Sequence, residues 1–87
     1  MKTPFQDQNG LGEGNSFRVY TPASLGAAIR HYRREAGLSQ AELAELSGLN
    51  RTYLSDLEQG KQTEQLRRLF RVLRQLGVRM TVNKADW

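Results

Sequence analysis

Four helix-start signals, each followed by a glycine, divide most of this chain into short segments. The capping residues are Thr21, Ser39, Asn50 and Thr63, and the glycines that follow them are Gly37, Gly48, Gly60 and Gly77. Ser, Thr and Asn side chains accept hydrogen bonds from the first backbone amides of a helix, and glycine commonly ends one. Apolar residues recur at helical spacing between these signals. The pattern therefore predicts an all-α domain of four short helices.

The fourth predicted helix has a strongly two-sided sequence. Its apolar stripe consists of Leu66, Leu69, Phe70, Leu73 and Leu76, and its arginines are Arg67, Arg68, Arg71 and Arg74. Such a stripe packs on a core, and the arginines form the solvated face that amphipathic helices usually have. A contact of these arginines with phosphate or with a protein partner is the alternative.

The two ends of the chain lack the helical pattern. Residues 1–16 place glycines among polar residues and predict a disordered N-terminal arm. Residues 17–20 alternate only weakly and predict at most a short extended piece. Residues 78–82 alternate strictly and predict one β-strand, and residues 83–87 form a short C-terminal tail. The folded domain is therefore expected over residues 17–82.

The predicted strand has one apolar face and no evident partner strand in its own chain. Val78, Met80 and Val82 share that face. Because the backbone groups of a strand need hydrogen-bond partners, the same strand of a second copy is the simplest solution. The sequence thus predicts a homodimer in which residues 78–82 pair across the two-fold axis.

Composition argues against several classes of function. The chain has no cysteine, which removes thiolate chemistry and the usual zinc frameworks. His31 is the single histidine and is expected to be a surface side chain rather than a ligand or base. Asp56 and Glu58 lie two positions apart on a helix and so point to different faces, unlike a pair of acid–base carboxylates. We expect no enzymatic activity, metal or cofactor.

Charge and hydropathy point to a cytoplasmic protein with an anionic partner. The net charge is +4 at pH 7, which suits such a partner without proving one. No apolar run reaches the roughly 20 residues of a membrane span, and the N-terminus lacks the apolar core of a signal peptide. No membrane contact is expected.

Only three residues, Gly48-Leu49-Asn50, join the second and third predicted helices. A short connection of this kind places the third helix across the second, so that the third can enter the major groove of DNA. The outward side chains at this place are Asn50, Arg51, Thr52, Tyr53, Ser55 and Asp56. These residue types contact base edges and phosphates. The arrangement predicts binding to double-stranded DNA.

Residues 37–61, GLSQAELAELSGLNRTYLSDLEQGK, resemble the helix-turn-helix of phage-repressor-type (Xre, Cro/C1) regulators. FRVYTPASL at residues 17–25 and FRVLRQLGVRMTV at residues 70–82 are similar to segments of HipB-type antitoxins. The resemblance implies a lambda-repressor-like fold and a homodimer that represses its own operon at operator DNA. It also implies a partner, a HipA-like serine/threonine kinase toxin that the dimer holds inactive.

The sequence and the resemblance together assign roles to individual residues. The predicted DNA-binding residues are Ser39, Gln40, Asn50, Arg51, Thr52, Tyr53, Ser55 and Lys61. Arg33 and Glu58 match an ion pair that ties helix one to the end of helix three in this family. Leu46 is apolar where the family usually has a polar residue, and it is a candidate for an extra contact. Trp87, in the tail, is either a frayed end or an anchor for a partner pocket.

Two other functions stay open on the sequence alone. One is a stand-alone Xre-family regulator without a toxin, which the absence of a neighbouring kinase-like gene would indicate. The other is an adaptor that uses the fold only for protein contacts. The adaptor predicts no salt-dependent binding to any duplex.

Overall fold

The computed structural model of the chain describes residues 16–61 and 63–85. In chain order the elements are β1 (Phe17–Val19), α1 (Pro22–Glu35), α2 (Gln40–Ser47), α3 (Arg51–Glu58), α4 (Glu64–Leu76) and β2 (Met80–Val82). The four predicted helices are all present and begin directly after their predicted caps. The mostly helical fold predicted from the sequence is thereby confirmed. The proposed arm at residues 1–16 lies outside the described residues except for its last position.

Side-chain caps explain where the helices begin. The capping box predicted for α2 is present, because the Glu42 amide donates to Ser39 Oγ over 3.0 Å and the Ser39 amide donates to Glu42 Oε1 over 2.8 Å. The amide of Ser39 thereby holds the pKa of the Glu42 carboxyl below its usual value. A second box, not predicted, starts α1, where Thr21 and Ser24 exchange the same pair of bonds. The helix starts therefore follow from local chemistry.

Helix α1 is the central helix of the domain, because it packs against α3, α4 and β1. Its contact with α3 depends on Gly26, which the sequence analysis did not single out. A Cβ atom at this position would lie 2.3 Å from the carbonyl oxygen of Leu57 and 2.6 Å from that of Glu58. Only glycine therefore lets the backbones of α1 and α3 approach so closely.

The prediction that the C-terminal strand has no partner in its own chain is wrong. Strand β1 pairs with β2 in antiparallel register, with Phe17 opposite Val82 and Val19 opposite Met80. The weak alternation of residues 17–20 predicted a short extended piece there but not its pairing with β2, and Phe17 and Val19 are buried. The sheet of the described residues has two strands, so β1 is the one neighbouring strand of β2 there. Pairing of β2 across a dimer axis therefore stays a prediction.

The core is small and covers only part of α4. The buried apolar side chains are Phe17, Val19, Ala28, Ala44, Leu54 and Phe70. Within the predicted stripe of α4, Phe70 is the single member classed as buried, while Leu69 and Leu76 are 43% and 67% exposed. Much of the apolar stripe thus faces away from the chain's own core.

The sequence predicted a surface position for His31, but the structure shows otherwise. It is partly buried, and its ring centroid lies 4.9 Å from that of Phe17 and 5.0 Å from that of Tyr32. The three rings pack at tilted or edge-to-face angles, an arrangement typical of stable aromatic contacts. His31 therefore helps to seat β1 on α1. No helix in the described residues is both long enough and apolar enough to cross a membrane.

Candidate nucleic-acid interface

A tight turn sets the angle between α2 and α3. Gly48 adopts a left-handed conformation with φ of 68°, which non-glycine residues rarely adopt. The amide of Leu49 donates to the carbonyl of Ala44 over 2.8 Å and closes the end of α2. The two helices pack against each other, with Ala44 and Leu54 buried. The outward face of α3 is thereby held in a fixed orientation.

Asn50 caps α3 and remains able to donate. Its Oδ1 accepts hydrogen bonds from the amides of Thr52 over 2.7 Å and Tyr53 over 3.4 Å. Because the cap uses the oxygen, the side-chain amide group keeps its N–H donors for an external acceptor. Asn50 therefore has both a structural role and a free donor at the start of the helix.

The first turn of α3 presents a polar and basic surface. Arg51, Thr52 and Tyr53 are exposed, and Tyr53 keeps 49% of its accessible surface. Ser55 is partly exposed, and its Oγ accepts a hydrogen bond from Gln59 Nε2 over 3.2 Å. The N-terminal end of a helix carries a partial positive charge, which favours contact with phosphate. This turn combines that charge with side chains able to contact bases.

The other predicted DNA-binding residues differ in how far contacts within the chain already engage their side chains. Ser39 is exposed and its hydroxyl can still donate while it caps α2. Gln40 instead donates from Nε2 to Glu58 Oε1 over 3.1 Å, so part of its side chain is held inside the protein. Lys61 is exposed but lies 3.4 Å from Asp56 Oδ1, a weak surface pair. Of these three residues, Ser39 is exposed with a hydroxyl that can donate, while Gln40 and Lys61 are partly engaged by acidic side chains of the same chain.

Arg33 and Glu58 form a buried two-pronged ion pair. Arg33 Nε and one terminal nitrogen donate to the two Glu58 oxygens over 2.5 Å and 3.0 Å, and the side chains are only 10% and 3% exposed. The hydrogen bond from Arg33 holds the pKa of the Glu58 carboxyl below its usual value. Arg33 also donates to the Leu38 carbonyl over 2.8 Å. Together with Gln40, the pair connects α1, the following loop, α2 and the end of α3.

The remaining predicted site residues lie elsewhere. Val78 is 50% exposed, whereas Met80 and Val82 are partly buried in the chain's own sheet. Leu46 is 73% exposed, so it does present an apolar surface on α2. Trp87 lies outside the described residues. No group of metal-ligating side chains occurs among the residues that the structure describes.

Comparison with known proteins supports the arrangement. A family model described as "Helix-turn-helix" matches residues 29–83, which is well over half of the chain. The HTH-type transcriptional regulator y4mF of Sinorhizobium fredii is 43% identical over 60 residues, covering 69% of this chain and 79% of that protein. The ImmF control region 10 kDa protein of Bacillus phage phi105 is 38% identical over 60 residues, covering 69% of this chain and 67% of that protein.

A third relative bears on the resemblance to HipB-type antitoxins. The antitoxin HipB of Escherichia coli K12 is 29% identical over 65 residues, covering 75% of this chain and 74% of that protein. No solved structure matches the chain significantly. The family match spans the second half of α1 and all of α2, the turn, α3, α4 and β2. The chain therefore belongs to the helix-turn-helix family.

Proposed function

We propose that this protein is a transcriptional repressor that binds a specific operator by inserting α3 into the major groove. The observation that carries the proposal is the first turn of α3, where Arg51 and Thr52 are exposed beside the free amide of Asn50. Arginine and asparagine make the two-pronged hydrogen bonds that distinguish guanine and adenine in this groove. We assign phosphate contacts, which orient the protein on the duplex, to the exposed hydrogen-bond donors of Ser39 and Lys61.

A homodimer fits this function better than a monomer. A single α3 contacts too few base pairs to mark one operator, whereas two copies contact half-sites about 34 Å apart along one side of the duplex. Repression then follows when the bound dimer occupies the promoter. A repressor of this kind is expected in the cytoplasm.

Selection of duplexes from a random-sequence pool tests DNA recognition and identifies the operator in the same experiment. We expect a palindromic site to be enriched and to bind at least about 10³-fold more tightly than a permuted duplex. Its binding constant should fall steeply with salt, because phosphate contacts release counterions. Absence of enrichment together with salt-independent binding would instead identify an adaptor that contacts only proteins.

Arg51 is expected to contact a base. Changing Arg51 to alanine should cost about 1 to 3 kcal/mol at the selected operator and relax the preference at one base position. The measurement is fluorescence anisotropy with the selected duplex and with its single-base variants.

Arg51→Lys is the matched variant, because lysine keeps the charge but lacks the planar fork of arginine. If Arg51 contacts a base, lysine should lose most of the specificity and keep most of the affinity for random duplex. Equal losses for operator and random DNA in Arg51→Ala, with full rescue by lysine, would make Arg51 a phosphate contact.

A second candidate function adds a protein partner, because the HipB relatives match beyond the DNA-binding helices. Their similarity extends over 65 residues, ten more than the family model covers. We propose that the dimer also binds a HipA-like serine/threonine kinase toxin and holds it inactive. Trp87, which was a candidate anchor on the sequence, belongs to this proposal.

Co-expression with a kinase-like product of an adjacent gene tests the antitoxin role. We expect the two untagged proteins to elute together and the kinase to lose its autophosphorylation in the complex. If no kinase-like gene adjoins this one, or if the two proteins elute separately, the chain is a stand-alone regulator with the same DNA chemistry.

A further inference from the structure

A groove runs between the start of α1, one face of α4 and the segments next to the two strands. It has two adjoining halves, which share Thr21, Phe70 and Arg74. One half is a cavity of about 130 Å³ whose lining is mainly apolar and includes Val19, Tyr20, Phe70, Leu73 and Val78. The other half is a cavity of about 230 Å³ whose lining includes three arginines, Arg67, Arg71 and Arg74. The groove therefore joins an apolar surface to a basic one.

The basic half of the groove carries positive charge that the chain does not neutralise. Among the described residues, no acidic side chain lines either half. Glu64 pairs with Arg67 and Arg68 over 2.9 and 3.2 Å, whereas Arg71 and Arg74 have no ion pair within the part of the chain that the structure describes. Arg67, Arg71 and Arg74 are four and three residues apart, and like charges at these spacings on a helix repel each other. A ligand that brings negative charge would relieve this repulsion.

The apolar half of the groove has room for one side chain of a ligand. Its volume of about 130 Å³ is close to the roughly 150 Å³ of an apolar cavity that holds benzene. Tyr20 and Val78 are 44% and 50% exposed, so this half is open to solvent. Arg79 also lines it and keeps Tyr20 in place, because its guanidinium lies 5.3 Å from the ring centroid and donates to the hydroxyl over 3.3 Å. An aromatic or aliphatic side chain therefore fits here.

We propose that this groove binds a segment of a partner protein in which acidic residues adjoin an aromatic or aliphatic one. The acidic side chains pair with Arg71 and Arg74, because a guanidinium makes two-pronged hydrogen bonds to a carboxylate. The apolar side chain fills the cavity beside Val78. A DNA backbone offers negative charge but no apolar group for that cavity, so charge and shape together favour a peptide. The proposal goes beyond operator binding and does not depend on it.

The groove adjoins the end of α3 rather than its exposed first turn. A Cβ atom at Gly60, just after α3, would lie 2.7 Å from the Cα of Ala23. The neighbouring Pro22 lines the basic half of the groove. Because α3 has eight residues, its first turn begins about 12 Å from this end. We therefore expect a peptide in the groove to leave Arg51 accessible to DNA.

Selection from a random-sequence peptide library displayed on phage tests the proposal with the full chain and without DNA. We expect the enriched peptides to carry acidic residues beside an aromatic or aliphatic one, and fluorescence anisotropy measures the affinity of a labelled synthetic copy. Arg74→Glu should weaken this peptide at least about tenfold, because attraction becomes repulsion. Arg34→Glu is the matched control, since Arg34 is also an exposed arginine in the last turn of a helix but lies outside the groove. It should change the affinity less than about twofold.

Val78→Ser tests the apolar half of the groove with the same peptide. The affinity should fall at least about threefold because apolar contact is lost, while the dependence of binding on salt stays as in the wild type. Arg74→Glu should instead reduce that dependence, because salt screens the attraction between charges. Enrichment of peptides without acidic residues overturns the proposal, as does the absence of any enrichment. Equal losses in Arg74→Glu and Arg34→Glu also overturn it, because they indicate attraction to the net charge of the chain.

Operator affinity separates the groove from a DNA contact. Arg74→Glu should lower the affinity for the selected operator no more than Arg34→Glu does. A clearly larger loss in Arg74→Glu would assign the arginines to the DNA backbone and overturn the proposal. Peptide affinity that falls as the concentration of the chain is raised would place a second copy in the groove, with the same consequence. Because the peptide experiments contain no DNA, their failure leaves operator binding to be tested separately.

Discussion

Replacing Glu58 with glutamine is expected to lower the free energy of unfolding by about 3 to 5 kcal/mol, the usual cost of removing one partner from a buried ion pair. Glutamine keeps the size of the side chain but leaves Arg33, only 10% exposed, without its counter-charge. The change also disturbs the hydrogen bond from Gln40. In thermal unfolding the melting temperature should fall by at least about 12 °C for a domain of this size.

Glu64→Gln is the matched control for this prediction. Glu64 pairs with Arg67 over 2.9 Å and with Arg68 over 3.2 Å, but its side chain is 54% exposed. Because solvent screens exposed pairs, this change should cost less than about 1 kcal/mol. A Glu58→Gln variant that melts at the wild-type temperature would contradict the account of the buried pair.

The same pair predicts a pH dependence with a definite sign. The hydrogen bond from Arg33 lowers the pKa of Glu58 in the folded protein. The stabilisation is therefore complete above the unfolded pKa of about 4.3 and is lost as pH falls from there through the folded value. The pKa values of Glu42 and Glu64 are also lowered, so these residues add their own pH dependence to the free energy of unfolding. Their contributions cancel when the free energy of unfolding of Glu58→Gln is subtracted from that of the wild type at each pH. We expect the difference to be constant near neutral pH and to shrink below about pH 4.

Gly26→Ala is expected to cost about 3 kcal/mol or more, at or above the upper end of the usual range for overpacking. The added Cβ would meet the carbonyl oxygens of Leu57 and Glu58 at 2.3 and 2.6 Å, and backbone atoms cannot rotate away as a flexible side chain can. This cost outweighs the gain of about 1 kcal/mol that alanine offers over glycine within a helix. Chemical denaturation of the folded chain measures the difference.

Gly48→Ala separates packing from backbone conformation. A Cβ at Gly48 would meet no atom within 4 Å, but the residue has a φ of 68°. We expect a loss of about 1 to 2 kcal/mol there, from conformation alone. If Gly26→Ala were neutral or stabilising, the close approach of α1 to α3 would be wrong, and with it the described position of α3.

Local signals carried most of what the sequence could predict. Caps at Thr21, Ser39, Asn50 and Thr63 act within one turn, so they fixed the helix starts independently of the rest of the chain. The exposure of Arg51 follows from the same kind of local pattern. The resemblance, rather than spacing, pointed to the pairing of Arg33 with Glu58.

Contacts between distant segments could not be predicted from the sequence. Strand β1 has three residues, too few to give a clear alternation, and its pairing joins residues 17–19 to residues 80–82. The role of Gly26 depends on how closely α3 crosses α1, which no local pattern encodes. Equally, the amphipathic pattern of α4 shows which residues are apolar but not whether this chain or a second copy covers Leu76.

The central claim is that the starts of α2 and α3 contact DNA, and nuclear magnetic resonance of the labelled chain tests it most directly. The chain is titrated with the duplex selected from the random pool, and the shift of every assigned backbone amide is followed. The account predicts that the largest changes lie at residues 39–40 and 50–55, with those of α4 much smaller. Largest changes on α4 or β2, with residues 50–55 unaffected, would contradict it.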